Sequence, residues 1–511
     1  MGFFSNKSDH PLANLKSAQQ LLDGLSKTDP VVVLQEIGHW IEDLFDADNA
    51  FRLDHQFAVL RMLDDAAHPY LRRISNSYFA IVPPSAFQEN RLWSAMNAYF
   101  ISSEMGYLHL ISGVENREKG SSSIKSEIPL ISARGIYATF GRLECSGVRY
   151  AQLDPQLWSH LAELYVCAEQ EECQDEQLSI YTSMGVVTSV DHLFASALMW
   201  YSVGEGALKP LDLHIAKLLM IYMCKSFSVT DQPQTDSLFA FDLATPMQPS
   251  RVTDEDAMYP PGMRFVSIGP APGHLDNLLK TLGKGLVPEE LNLGVPYSAD
   301  VVAEVVRRLA TYCKLPLPVR RHQRRKIKMS VSVANGFSKV IEQAETKTSS
   351  KNFNSEIWDV EDMSATGISC LLPPGSASDV KIGALVGIQS EKSAHWGAGI
   401  VRRLRRDAQN NLHVGVRILS NKVMGVVVGD SAGGGVDSLH PALLLDRTDE
   451  QGSESWVLTK ADTFSINRSP TMTIDQQSYL LMPLALIEKG VDFDLARYRR
   501  MAQESGSGEA Q

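Results

Sequence analysis

The sequence predicts a multidomain α+β fold in which an all-helical N-terminal part precedes an antiparallel β part. Three observations predict it. Apolar residues recur at helical spacing through the first two-fifths of the chain, the period switches to two after Arg325, and a stretch rich in Pro and Gly separates the two textures.

In the helical part, Leu12, Leu15, Leu22 and Leu25 lie on one helical face. Asp29-Pro30 then supplies a cap and a first-turn proline for a second face of Leu34, Ile37, Ile41 and Leu44. Leu53, Phe57, Leu60 and Leu63 form a third. Further periodic segments run from Leu92 to Ile111, Ile131 to Cys145, Leu157 to Cys167, Leu193 to Tyr201 and Leu211 to Cys224. Short polar or glycine-containing connections between them predict stacked helical hairpins over residues 1–229. The aromatic and Met residues of these faces, among them Met96, Tyr99, Phe100, Trp200 and Met220, are expected to fill a core.

Residues 230–313 read as a mixed connecting region, with short strands at Phe239 to Leu243 and Arg264 to Ile268. Gly269-Pro-Ala-Pro-Gly273 leads into Leu275, Leu278, Leu279 and Leu282; its prolines remove the backbone donors a phosphate loop needs, so a plain turn is expected. Ser298 caps a helix through Val302, Val305, Val306 and Leu309. The prolines at 316 and 318 make residues 314–319 an extended linker.

Beyond it, Ile327, Met329, Val331 and Val333 alternate with Lys328, Ser330 and Ser332, which is the pattern of a half-buried strand. Ser338 to Ser355 is polar and helix-tolerant. Strands follow at Ile357 to Val360, Gly367 to Leu372, Ile382 to Ile388, Gly397 to Leu404, Leu412 to Ile418 and Val423 to Val428, a spacing that predicts a barrel or sandwich over 320–430. Ala442 to Leu445, Ser455 to Leu458, Thr463 to Ile466 and Ser478 to Met482 read as a C-terminal β extension over 431–503, and 504–511 as a disordered tail.

Composition bounds the function. The 511 residues carry a formal charge of -12, which opposes wholesale coating of nucleic acid. Six scattered cysteines, without a C-x-x-C pair, argue against a zinc site or a disulfide framework and fit a reducing compartment. With neither a secretory leader pattern nor a run of about 20 apolar residues, the expected location is the cytoplasm, without membrane insertion.

Against this acidic background Arg320, Arg321, Arg324, Arg325, Lys326 and Lys328 crowd into nine positions, and Asp362-Met-Ser364-Ala-Thr-Gly367 follows downstream. A guanidinium fork matches phosphate oxygens and the O6/N7 edge of guanine, while a carboxylate accepts from guanine's N–H donors. A Ser hydroxyl and a nearby Gly complete a guanine-nucleotide clamp that needs no acid, base or metal.

The run Arg321-His-Gln-Arg-Arg325, then a strand, then Asp362 to Gly367, resembles the PilZ domain, the bacterial receptor for cyclic di-GMP, whose signature is R-x-x-x-R followed by [DN]-x-S-x-x-G. Ala398 to Arg402 and His413 to Ile418 are similar to that domain's closing strands. The resemblance implies a six-stranded antiparallel barrel in which Arg321 and Arg325 hold phosphate and guanine, Asp362 and Ser364 contact a base, and Gly367 permits the turn. Arg320 and Arg324 satisfy the same spacing and stay in the candidate set. The gap from Arg325 to Asp362 is longer than usual for the family and implies an insertion around Ser338 to Ser355.

The resulting expectation is a non-enzymatic cyclic di-GMP effector with neither cofactor nor metal, relaying occupancy to a helical partner-binding domain. The alternatives are a scaffold with a degenerate barrel, a nucleic-acid-binding module, and a serine hydrolase with Ser431 of Gly429-Asp-Ser-Ala-Gly433 as nucleophile. The hydrolase lacks the helix that must follow a nucleophile elbow, since Gly434 and Gly435 come next. A second basic run, Arg402, Arg403, Arg405 and Arg406, is expected to be a charged, exposed strand end.

Overall fold

The computed structural model describes residues 10–503 apart from 50, 205, 253–257, 317–322, 346–354, 376–379, 430–438, 447–453 and 475–476. The chain divides into two compact units. The first holds nearly all residues up to Val319; the second holds Arg320 onward together with Tyr150–Gln152 and Gly206–Lys209.

The first unit opens with α1 (Leu15–Gly24), α2 (Pro30–Leu44), α3 (Leu53–Tyr78) and α4 (Ala86–Glu115). After the short α5 (Ser121–Ile124) come α6 (Ile128–Gly147), α7 (Gln156–Gln170), α8 (Val190–Gly204) and α9 (Pro210–Tyr222). The expected caps are present: Asp29 accepts from the Val31 N–H at 3.0 Å with Pro30 opening α2. α4 packs closely on α6 because Gly141 leaves room for the Phe100 ring, which a Cβ would meet at 2.4 Å. The predicted apolar stripes are largely core, with Tyr99, Phe100, Trp200 and Met220 all buried; the first departs from this, since Leu15 is exposed and Leu25 lies past the end of α1.

A four-stranded sheet in the order β1-β4-β2-β3 follows, from β1 (Ser228–Thr230), β2 (Ser237–Asp242), β3 (Ser250–Arg251) and β4 (Met263–Ser267). α10 (Ala271–Leu282) and α11 (Ala299–Tyr312) complete the unit, and Ser298 caps α11 as its position predicts. Residues 230–313, expected as a connecting region, thus cluster with the helices.

The second unit holds two closed antiparallel barrels. The first consists of β5 (Arg325–Asn335), β6 (Glu356–Ser364), β7 (Gly367–Leu372), β8 (Leu385–Ser390), β9 (Gly397–Arg406) and β10 (Leu412–Ser420), closed in the order β10-β7-β6-β5-β8-β9. The strand Val423–Gly429, expected in this barrel, instead opens the next one. After the Asn421-Lys422 turn it pairs with residues 439–445 rather than returning to β10.

The expected C-terminal extension is therefore a complete second barrel. It contains β11 (Val423–Gly429), β12 (Leu439–Leu445), β13 (Glu454–Lys460), β14 (Thr471–Ile474), β15 (Gln477–Lys489) and β16 (Phe493–Ala502), closed in the order β11-β12-β13-β16-β15-β14. Counting strands from one to six within each, both barrels close as 1-2-3-6-5-4, so the chain repeats one topology. Thr463 to Ile466 is a turn, not a strand, because the Thr463 and Phe464 N–H groups donate to Asp494 Oδ2 at 2.9 and 3.0 Å.

The helix-tolerant stretch contributes α12 (Phe337–Glu345), wedged between the barrels. Phe337, Val340 and Ile341 share one apolar cluster with Leu385 and Ile400 of the first barrel and Leu443, Phe493 and Leu495 of the second. Asp492 accepts from the Phe337 N–H at 2.6 Å and from the Leu385 N–H at 3.0 Å, tying the β15–β16 turn to the first barrel.

Candidate functional site

The described candidate residues lie on the outer face of the first barrel, and their placement turns on a break in strand alternation. Trp358 and Val360 of β6 point into the barrel core. Strict alternation would send Asp362 and Ser364 inward after them, where an unpaired carboxylate costs several kcal/mol, on the order of that for any buried charge.

A β-bulge prevents this. Opposite β7, Val360 pairs with Cys370 and Asp362 with Ser369, so Glu361 is an extra residue. Opposite β5, Lys326 pairs with Asp362 and Met329 with Val360, so Ile327 and Lys328 together face Glu361. The bulge resets the parity: Met363 packs against the core, while Asp362 and Ser364 turn outward.

At the entrance of β5, Arg324 Nη1 donates to Asp362 Oδ1 at 2.8 Å, joining the basic run to the downstream motif. The two side chains keep 34% and 28% of their surface exposed, so the pair contributes about 0–1 kcal/mol and is readily displaced by a competing anion or donor. Arg325 opens the strand opposite Met363, is exposed, and has no ion-pair partner among the described residues. Arg320 and Arg321 lie outside the described residues, as does Ser431 of the hydrolase alternative.

Ser364 Oγ donates to the Gly367 carbonyl at 3.2 Å across the two-residue Ala365-Thr366 hairpin. The Ile418 N–H donates to the Thr366 carbonyl at 3.0 Å and pins the hairpin tip to β10. Gly367 is needed here for a reason other than the expected turn conformation. It sits in β7, where a Cβ would lie 2.8 Å from the Val416 carbonyl oxygen.

Sequence reasoning missed three neighbours on this face. The bulged Glu361 accepts from Ser369 Oγ at 3.4 Å and meets His413 Nδ1 at 2.9 Å, and His413 Nε2 lies 3.3 Å from Asp407 Oδ2. Hydrogen bonds from Asn411 hold the Asp407 carboxyl below its ordinary range. A readable signal existed: Asp362 at even spacing from Trp358 and Val360 cannot face the core, so the strand must contain an irregularity between them.

The second basic run is only partly an exposed strand end. Arg402 is half-buried and, with Arg417, donates to Glu488 of the second barrel, each at 2.5 Å. Arg406 reaches the Asn410 carbonyl at 3.3 Å within its own hairpin. Among the described residues the six cysteines are free and buried, no cluster of His, Cys, Asp or Glu is arranged to hold a metal, and no helix is long and apolar enough to cross a membrane.

Comparison with known families gives two matches. Residues 316–424 match the middle PilZ domain of the cyclic-di-GMP receptor FimW, and residues 16–231 match the N-terminal domain of the same receptor. The first match spans β5 to β10 and ends at the start of β11, where the first barrel closes. No curated protein matches the chain.

Proposed function

We propose, from the premise that residues 316–424 are a PilZ domain, that the chain is a cyclic di-GMP effector and not an enzyme. The ligand would bind on the outer face beside Asp362, with Arg325 and the preceding Arg320 and Arg321 supplying phosphate and guanine contacts. Arg324, already engaged with Asp362, would position the arm. Asp362 would trade that partner for the N–H edge of a guanine; Ser364 and Gly367 would keep the hairpin close to the base.

The observation that carries this reading is the Arg324–Asp362 ion pair, which brings together two motif halves 38 residues apart on one exposed face. The motif also stands at the point in the chain where the helical unit ends and the barrel unit begins. On that placement, occupancy would be relayed through residues 315–319 to the helical unit and to a protein partner bound there.

Calorimetric titration with cyclic di-GMP tests the binding step. Arg325→Ala is expected to weaken affinity at least tenfold, about 1.4 kcal/mol, without altering the fold. Absence of binding heat in the unmodified chain would end the proposal. Identical small-angle scattering with and without saturating ligand would remove the relay while leaving binding intact.

A further inference from the structure

Within the helical unit, α3, α4, α6 and α9 converge on a cavity of about 90 Å³, covered by residues 292–294. Its polar wall is unusual for a core. Lys217 is 4% exposed, and its Nζ donates to Glu144 Oε2 at 2.8 Å. The other Glu144 oxygen is taken by His214 Nδ1 at 2.7 Å, so the carboxylate is fully engaged.

Around the rest of the Lys217 ammonium stand the rings of Phe100, Tyr137 and Phe140, at 5.2 to 5.3 Å. Two of its three N–H donors thus have no oxygen partner among the described residues. The Tyr137 hydroxyl, on the same wall, also has none. Arg72 lines the cavity too and gives one N–H to Asn292, which belongs to the covering segment.

Buried donors are ordinarily satisfied, and a buried ion pair stabilises a fold no better than an apolar replacement of the same volume. Donors of Lys217 and Tyr137 without an oxygen partner, in side chains that line a void, therefore point to a ligand that supplies acceptors. Leaving the imidazoles out of the count, the formal charges on the wall are Lys217 and Arg72 against Glu144, one positive in excess. Burial holds the His68 pKa at about 4, so at neutral pH it adds no charge. One excess positive charge suits a monoanion better than phosphate. The remaining wall includes Met96, Met184 and Leu293, which suit an apolar stub. The volume admits a molecule of only a few heavy atoms, smaller than the benzene that fills a cavity of about 150 Å³.

We propose that this cavity is a second ligand site, for a small monocarboxylate held by Lys217 and Tyr137. It belongs to the helical unit alone, and its test involves no cyclic di-GMP, so the two readings stand or fall separately.

The probe is sodium propionate at millimolar concentration, observed by saturation-transfer NMR on the full chain, with sodium phosphate observed by ³¹P line width in parallel. Transfer to the propionate methyl group is expected. It should weaken at least tenfold in Lys217→Met combined with Glu144→Gln, a pair of changes that leaves no uncompensated buried charge. Leu293→Trp, which fills the space without touching the charges, should abolish it, and circular dichroism would verify that both variants remain helical. Absence of transfer in the unmodified chain would overturn the proposal, because the cavity would then hold water only. Equal transfer from folded variants would overturn it by placing propionate elsewhere, and a response to phosphate without one to propionate would overturn the monocarboxylate assignment.

Discussion

The two barrels share a strand order yet differ in everything the proposed ligand would touch. The first is entered by the Arg320–Arg325 run; the second is entered from β10 through the Asn421-Lys422 turn, which leaves no length for an arginine arm. In the first, a two-residue hairpin joins the second and third strands and a bulge turns Asp362 outward. In the second, residues 446–453 make that connection, and the pairings of β12 with β13 and of β13 with β16 show no register shift. The barrel is thus a scaffold usable twice, and binding chemistry comes from what is attached to it.

The barrels are nevertheless bound to each other. α12 buries its apolar face in both, and Glu488 and Asp492 of the second reach into the first. Phe493→Ala tests this most severely, since Phe493 is fully buried in the shared cluster. It should cost about 3–5 kcal/mol and lower the urea midpoint of both barrels in one transition. Loss of the second barrel alone, with hydrogen-exchange protection of the first barrel's strands unchanged, would show that the shared core does not couple them.

Acid should separate the helical unit from the barrels. Burial depresses the His68 pKa to about 4, so the unfolded chain takes up a proton first, and stability falls as pH drops from about 6.5 to 4. Burial also pushes the Glu144 carboxyl up, but Lys217 and His214 outweigh it and hold the pKa at about 2. That contribution is present above about 4.5 and is lost as pH falls toward 2. His68 alone accounts for a loss on the order of 3 kcal/mol by pH 4. Ellipticity at the helical minimum should therefore fall before hydrogen-exchange protection of the first barrel's strand amides; simultaneous loss would remove the distinction.

Gly367→Ala sharpens the contrast at the site. The added methyl meets the Val416 carbonyl, and about 1–3 kcal/mol of stability should be lost together with the seating of the hairpin. Arg324→Ala should have the smallest effect on stability, below about 1 kcal/mol in thermal unfolding, because the pair is solvent-exposed. A larger loss would show that the ion pair holds the first barrel together rather than positioning an arm.

Much of the site was legible because its chemistry is local. Arg324, Arg325, Asp362, Ser364 and Gly367 stand at motif spacing, and the structure places Arg324 against Asp362. The helices were legible for a similar reason, since caps such as Asp29 and Ser298 act within a few residues. β16 was missed because its alternation is masked: Phe493, Asp494, Leu495 and Ala496 are all buried, and Asp494 is accommodated only by turn N–H groups 30 and 31 residues away.

By itself, then, the sequence determined the helical and β halves, the arginine arm and the residues of the downstream motif, all set by short-range periodicity and side-chain chemistry. Only tertiary structure decided that the C-terminal strands close into a second barrel of the same topology, since strand pairing is non-local. It alone decided that Glu361 bulges to turn Asp362 outward, because a bulge is defined by the partner strands. It also decided that Lys217, one lysine among many in the sequence, lies buried in the wall of a cavity: burial depends on which helices converge around a residue, not on its neighbours in the chain.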